Sequence, residues 1–228
     1  MTADIGAILD ALDAFLKLKD SGGRIICAAK FGVYAFFDYD GEPIYVGQTY
    51  ERLSTRIRRH LTNQRTDAVA MHVLDPMEVA RVEVWPFREL SDVSKEERKS
   101  ILNRAEFTVF SKLAGSARVS KLLNEKEPMD AETIELPESS AADIVPEDVK
   151  ARLGHADERI ARRAATIANL AQVVRERDVS VGLRGTLVTQ AERLELLAKL
   201  RLQEVIAETP AEQLAEETKR AGDDEASG

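Results

Sequence analysis

The sequence predicts an α+β protein. A small domain with a short antiparallel sheet flanked by helices is preceded by an N-terminal helix and followed by a C-terminal helical hairpin. Three observations predict this. Two runs of alternating apolar side chains meet at Asp40-Gly41, a dipeptide that favours a tight turn between strands. Apolar residues three and four apart mark helices on both sides of that turn. A stretch holding three of the seven prolines then separates these elements from two long helical patterns.

Residues 1–23 form the first unit. Ile5, Ile8, Leu9, Leu12, Phe15 and Leu16 place an amphipathic helix over 4–19, and Ser21-Gly22-Gly23 ends it. Residues 24–125 form the compact domain. A two-residue turn at Asp40-Gly41 pairs Phe37 with Ile44, Phe36 with Tyr45 and Ala35 with Val46. Side chains alternate along a strand, so Val33, Ala35, Phe37, Ile44 and Val46 share one face. Tyr34, Phe36, Tyr45 and Gly47 share the other, where the two phenols are diagonal neighbours.

Leu53, Ile57 and Leu61 then give the apolar edge of a short helix, with Arg56 and His60 together on an adjoining edge. Ala80, Val82 and Val84 alternate with Arg81 and Glu83 as a third strand. Ser94 and Glu97 read as a capping box, opening a helix with Ile101, Leu102, Ala105, Val109 and Leu113 as its packing stripe and Gly115 at its end. Residues 126–147, with Pro128, Pro137 and Pro146, read as a linker.

Residues 148–208 read as a helical hairpin. Its first helix carries Ile160, Ala164, Ile167, Leu170, Ala171 and Val174, its second Leu187, Ala191, Leu194, Leu197, Ala198 and Val205. Gly182 and Gly185 fall in the expected turn between them. Docking on the compact domain, homodimerisation and DNA binding are all open to this hairpin. Residues 209–228 read as an acidic disordered tail.

The candidate chemistry sits on the second face of the strand pair. Tyr34 and Tyr45 point there, Arg56 and His60 lie just beyond, and Glu106 stands beside an apolar stripe, an awkward place for an idle carboxylate. Each has an ordinary alternative. The tyrosines can be strand aromatics, Arg56, Arg58 and Arg59 a solvated helix face, His60 a helix cap, and Glu106 a partner of Arg104 or Lys112. His72 and His155 show no such company.

This ordered set resembles the GIY-YIG nuclease domain of excision-repair, homing and restriction endonucleases. The resemblance runs through Gly32-Val33-Tyr34, Tyr45-Val46-Gly47, Leu53-x-x-Arg56-x-x-x-His60 and a helix-borne Glu106, over roughly residues 30 to 125. Valine replaces isoleucine in both triplets, and one extra residue falls between Tyr45 and Arg56.

The resemblance implies a metal-dependent endonuclease hydrolysing phosphodiesters, most naturally in DNA. Tyr34 would activate or orient water, with His60 drawing off its proton because a phenol of pKa about 10 is a poor base at neutral pH. Arg56 would hold the scissile phosphate, and Tyr45 would contact it or position the nucleophile. Glu106 would bind Mg²⁺ or another divalent cation such as Mn²⁺. Gly47, Arg52, Arg58 and Arg59 would meet nucleic acid, as would Asn124, the candidate for the family's asparagine, with Asn103 the weaker choice. A catalytically inactive nucleic-acid-binding module of the same fold is the alternative.

Composition bounds these readings. The net charge of −8 opposes a nucleic-acid partner only until the chain is divided. Residues 24–124 hold 16 Lys and Arg against 13 Asp and Glu. Within them Arg52, Arg56, Arg58, Arg59 and Arg65 cluster on one helix and its exit, as phosphate binding requires. A lone cysteine, Cys27, excludes an internal disulfide framework and points to packing. No secretory leader and no apolar run of about 20 residues is read, so a soluble, cytoplasmic protein is expected.

Overall fold

A computed structural model describes residues 2–62, 73–119 and 121–210. Arg65, His72 and the expected tail from residue 211 lie outside the described residues. The regular elements are helix α1 (Thr2–Leu16), strands β1 (Gly32–Phe37) and β2 (Pro43–Thr49), helix α2 (Leu53–Leu61), strand β3 (Arg81–Pro86), helix α3 (Lys95–Ser116), strand β4 (Ser140–Asp143) and helices α4 (Glu147–Leu153), α5 (Ala156–Glu176) and α6 (Val181–Glu208). The strands make one antiparallel sheet in the order β2-β1-β3-β4, within an α+β fold flanked by helices.

Every residue of β1 is buried, because both faces of the sheet are covered. On one face Tyr34, Phe36 and Ile44 pack with Leu12 of α1, Leu53 and Ile57 of α2, Leu170 of α5 and Leu183 of α6. On the other, Val33, Ala35, Val46 and Trp85 pack with Leu102, Ala105 and Val109 of α3. Removing such side chains from water is worth ~1.5–3 kcal/mol each, which fixes α2 and α3 on opposite sides of one strand pair. Ser94 caps α3 as expected, its hydroxyl accepting from the Glu97 amide at 3.2 Å, but α3 runs past Gly115 to Ser116. Cys27 is buried, and burial pushes its thiol up to about 12.

The hairpin turn is longer than Asp40-Gly41 alone predicts. Asp38 donates its amide to Glu42 O at 2.9 Å, and Gly41, at φ 74°, donates to Asp38 O at 3.1 Å. This is a three-residue loop with glycine in the left-handed position. The register shifts after Phe36, so Phe37 faces Pro43 rather than Ile44, and Ile44 joins the Tyr34 cluster. Asp38 stabilises the loop by accepting from the amides of Asp40 and Glu42 at 2.9 and 3.1 Å.

Part of the expected linker is ordered sheet. Ser140–Asp143 pairs along β3, with Val84 opposite Ser140 and Arg81 opposite Asp143, which covers an edge that would otherwise expose unpaired amides.

The C-terminal hairpin docks on its own domain through a face that its apolar pattern marks only in part, at Leu170 and Leu197. Arg159, Arg163, Thr166, Leu170 and Val173 of α5 turn inward, while Ala164 and Ala171 face solvent. In α6 the inward set is Leu183, Thr186, Gln190, Arg193 and Leu197. Arg159, only 1 % exposed, donates to Asp40 at 2.7 Å and Asp38 at 3.1 Å. Arg163 bridges Asp38 at 2.8 Å and Glu78 at 2.9 Å, and Arg162 also binds Glu78. Arg193 donates to the carbonyls of Pro43 and Lys121 at 2.7 and 3.2 Å, and burial pulls its pKa down to about 10.

α6 also starts earlier than its glycines predict. Ser180 caps it, accepting from the Leu183 amide at 3.1 Å, so Gly182 and Gly185 lie inside the helix. Gly182 is needed for close approach: a Cβ there would stand 1.9 Å from Glu125 O.

Candidate active site

Two elements, β1 and α2, converge on one hydroxyl group. Tyr34, in the middle of β1, is 0 % exposed. Its hydroxyl lies 3.2 Å from His60 Nδ1, and Arg56 Nε donates to it at 3.2 Å. Arg56 and His60 are one turn apart on α2, whose Leu53 and Ile57 pack under the sheet, so both polar side chains meet the strand from one helix edge. The phenol oxygen accepts from Arg56, and the imidazole tautomer sets the direction of its contact with His60: the phenol donates when Nδ1 is unprotonated.

Tyr45 and His60 are in contact edge to face, with ring centroids 4.6 Å apart. Tyr45 stands 6.1 Å from Tyr34, ring to ring. The two glycines of the triplets make this packing fit. A Cβ on Gly47 would stand 2.8 Å from the Tyr34 hydroxyl and 2.9 Å from the Tyr45 ring, so the space at Gly47 belongs to the tyrosines. A Cβ on Gly32 would strike Trp85 O at 2.8 Å.

Glu106 reaches the same region from the other face of the sheet. It leaves α3 at the open edge of β2, where Gln48 donates its backbone amide to Oε1 at 3.1 Å and its side-chain amide to Oε2 at 2.9 Å. Burial raises the Glu106 pKa, while these two hydrogen bonds and the charge of Arg56 act in the opposite direction. Arg104 does not pair with it and binds Glu132 instead, at 3.0 Å. Among the described residues no Lys or Arg forms an ion pair with Glu106.

Asn124 completes the edge. Its side-chain oxygen accepts from Val46 N at 3.2 Å and its amide donates to Val46 O at 2.7 Å, the bonds a further strand would have made. Tyr45, His60, Glu106 and Asn124 together line a cleft of about 200 Å³. Tyr34 sits behind it. The helix arginines spread outward: Arg52 is exposed, Arg58 pairs with Asp13 of α1 and Arg59 with Glu51. His155 caps α5, accepting from the Asp157 amide at 3.3 Å.

The structure thus brings Tyr34, Tyr45, Arg56, His60 and Glu106 into one region. Gln48 is the member the sequence reading missed, since it follows the second triplet as an ordinary strand residue. Its one signal is position: residues 44, 46 and 48 turn their amides to the same edge of β2, which is where Glu106 needs donors.

A single carboxylate suits a cation that keeps most of its own water, as Mg²⁺ does. The desolvated state of Glu106, without a cationic side chain bonded to it, fits such an ion. Among the described residues no group of three His, Cys, Asp or Glu gathers as a closed metal cage. No helix of the described residues is long and apolar enough to cross a membrane.

No curated protein and no solved structure matches the chain. Residues 30–100, which hold both triplets, Arg56 and His60 but not Glu106, match the family model of the GIY-YIG catalytic domain. The match supports placing that segment in the GIY-YIG endonuclease superfamily.

Proposed function

We propose that the protein is a divalent-metal-dependent endonuclease that hydrolyses phosphodiester bonds in DNA. The observation that carries this reading is the meeting of Arg56, Tyr34 and His60 at one hydroxyl, each link 3.2 Å long, beside a cleft that also holds Glu106. An arginine fork binds phosphate, a phenol relays a proton, and an imidazole can take it near neutral pH.

In the free protein the Arg56 guanidinium bonds the Tyr34 oxygen, and the phenol is buried. A phosphate drawn onto Arg56 takes that guanidinium for itself and opens the oxygen to water. The water attacks phosphorus and passes a proton to Tyr34 as the phenol proton moves to His60 Nδ1. The bond from phosphorus to the leaving oxygen breaks, that oxygen takes a proton from solvent, and a 5′-phosphate or 3′-phosphate remains according to which bond is cut. Glu106 would hold a divalent cation, which would supply charge stabilisation to the departing alkoxide. Tyr45, on the cleft wall, orients the phosphate, and Arg52, Arg58 and Arg59 add sequence-independent attraction.

The full burial of Tyr34 favours one other reading, a binding module of the same fold that does not cut. Purified protein incubated with supercoiled plasmid separates the two. Nicked or linear product that requires Mg²⁺ or Mn²⁺ is expected. Bound but intact plasmid in both metals would identify the module, and neither binding nor cutting would reject DNA as the substrate.

A further inference from the structure

We infer that Gln48 is a positioning residue that fixes the Glu106 carboxylate for its cation, an inference that rests on the metal-dependent reading above. Glu106 belongs to α3 and the tyrosines to the sheet, so something must set the carboxylate against the sheet. Gln48 does so with two donors on one residue. Its backbone amide takes Oε1 at 3.1 Å and its side-chain amide takes Oε2 at 2.9 Å, which fixes both oxygens and therefore the plane of the group.

The side-chain amide is itself held. Its nitrogen also donates to Asn103 Oδ1 at 2.8 Å, one turn before Glu106 on α3. Facing two acceptors, that nitrogen cannot exchange places with its oxygen without setting oxygen against oxygen, so the orientation of the amide is determined. Gln48 Oε1 is then left buried with no hydrogen-bond partner among the described residues. It is a spare acceptor on the same amide carbon as the nitrogen that holds Glu106, and water coordinated to a cation is a strong donor.

Neither contact blocks metal binding, because each carboxylate oxygen keeps a second lone pair. The arrangement is that of an outer partner orienting a ligand, a role whose loss commonly weakens metal affinity by about 10–100-fold. Glu106, Gln48 and Asn103 thus act as one unit, with Glu106 touching the ion and the other two acting through it.

The test is a Mn²⁺ titration of the DNA-free protein, read by the loss of the free-ion signal in electron paramagnetic resonance. Wild type, Gln48→Met, Asn103→Ala and Glu106→Ala are compared, with circular dichroism as the check on folding. Methionine keeps the volume of Gln48, removes its side-chain donor and acceptor and leaves the backbone amide on Glu106.

Gln48→Met is expected to bind Mn²⁺ about 10-fold or more weakly, Asn103→Ala to shift affinity the same way by less, and Glu106→Ala to bind none. Cleavage by Gln48→Met should recover as Mn²⁺ is raised, since the ligand itself remains. Wild-type affinity in folded Gln48→Met and Asn103→Ala, with binding abolished in Glu106→Ala, would overturn the role of Gln48 and leave the metal reading standing. No binding by wild type would overturn both.

Discussion

At the scale of single residues, the two tyrosines have different duties although they sit in matching motifs. Tyr34 is enclosed and joined to Arg56 and His60, whereas Tyr45 lines the cleft. Tyr34→Phe removes one oxygen and keeps the ring that packs against Phe36 and Tyr45, so the fold should persist. Cleavage should fall by ~10²–10⁴-fold, the usual loss with a general base, and His60→Ala should lose a comparable factor. The double variant should lose far less than the product of the two, because groups that act as one unit are non-additive. Single-turnover rates measure all four proteins. Strictly multiplicative losses would separate the phenol from the imidazole.

At the scale of elements, α2 carries two kinds of arginine. Arg56 turns to the Tyr34 hydroxyl, while Arg58 and Arg59 sit in surface ion pairs worth little and easily exchanged for phosphates. Arg58→Ala and Arg59→Ala should therefore weaken DNA binding evenly across sequences and reduce the salt slope by about one each. Arg56→Ala should abolish cutting with a smaller effect on binding. Titrations at several salt concentrations, run beside cleavage assays, distinguish the classes, and like behaviour in all three would remove the special place of Arg56.

Elements also differ in how well their sequence declares them. α2 and β1 were legible because their inward residues are apolar at a clean period: Leu53 and Ile57 in one, a buried run in the other. The inward faces of α5 and α6 were not, because arginine, threonine and glutamine occupy them and hydrophobicity cannot mark a face held by ion pairs and hydrogen bonds. β4 was hidden for a related reason. Its Ser140-Ala141-Ala142-Asp143 has no strand pattern of its own and is recruited by the edge of β3. The candidate residues Tyr34, Tyr45, Arg56, His60 and Glu106, which the fold brings together, could be proposed from motif spacing, but Gln48 could not, since what ties it to them is a long-range contact with α3.

At the scale of the whole molecule, the matched segment is completed by residues outside it. α6 supports both walls of the cleft: Gln190 donates to Val73 O at 2.8 Å, and Ser180 bonds Glu125 at 2.8 Å beside the closely packed Gly182. The arginines of α5 bind the loop between β1 and β2 through Asp38 and Asp40. Arg159→Ala would leave Asp38 buried with a partner lost and should cost about 3–5 kcal/mol, read as a lower urea midpoint. An unchanged midpoint would make the network ornamental to stability.

The central claim is that this arrangement cuts DNA with a cation held by Glu106. The most direct measurement is the plasmid-cleavage rate of Glu106→Ala against wild type across a Mg²⁺ series, with DNA affinity measured in parallel. Losing the metal's charge stabilisation is worth several kcal/mol, so the rate should fall by about 10³-fold or more while affinity for DNA changes little. Wild-type cleavage by the variant, with the same dependence on Mg²⁺, would contradict the claim.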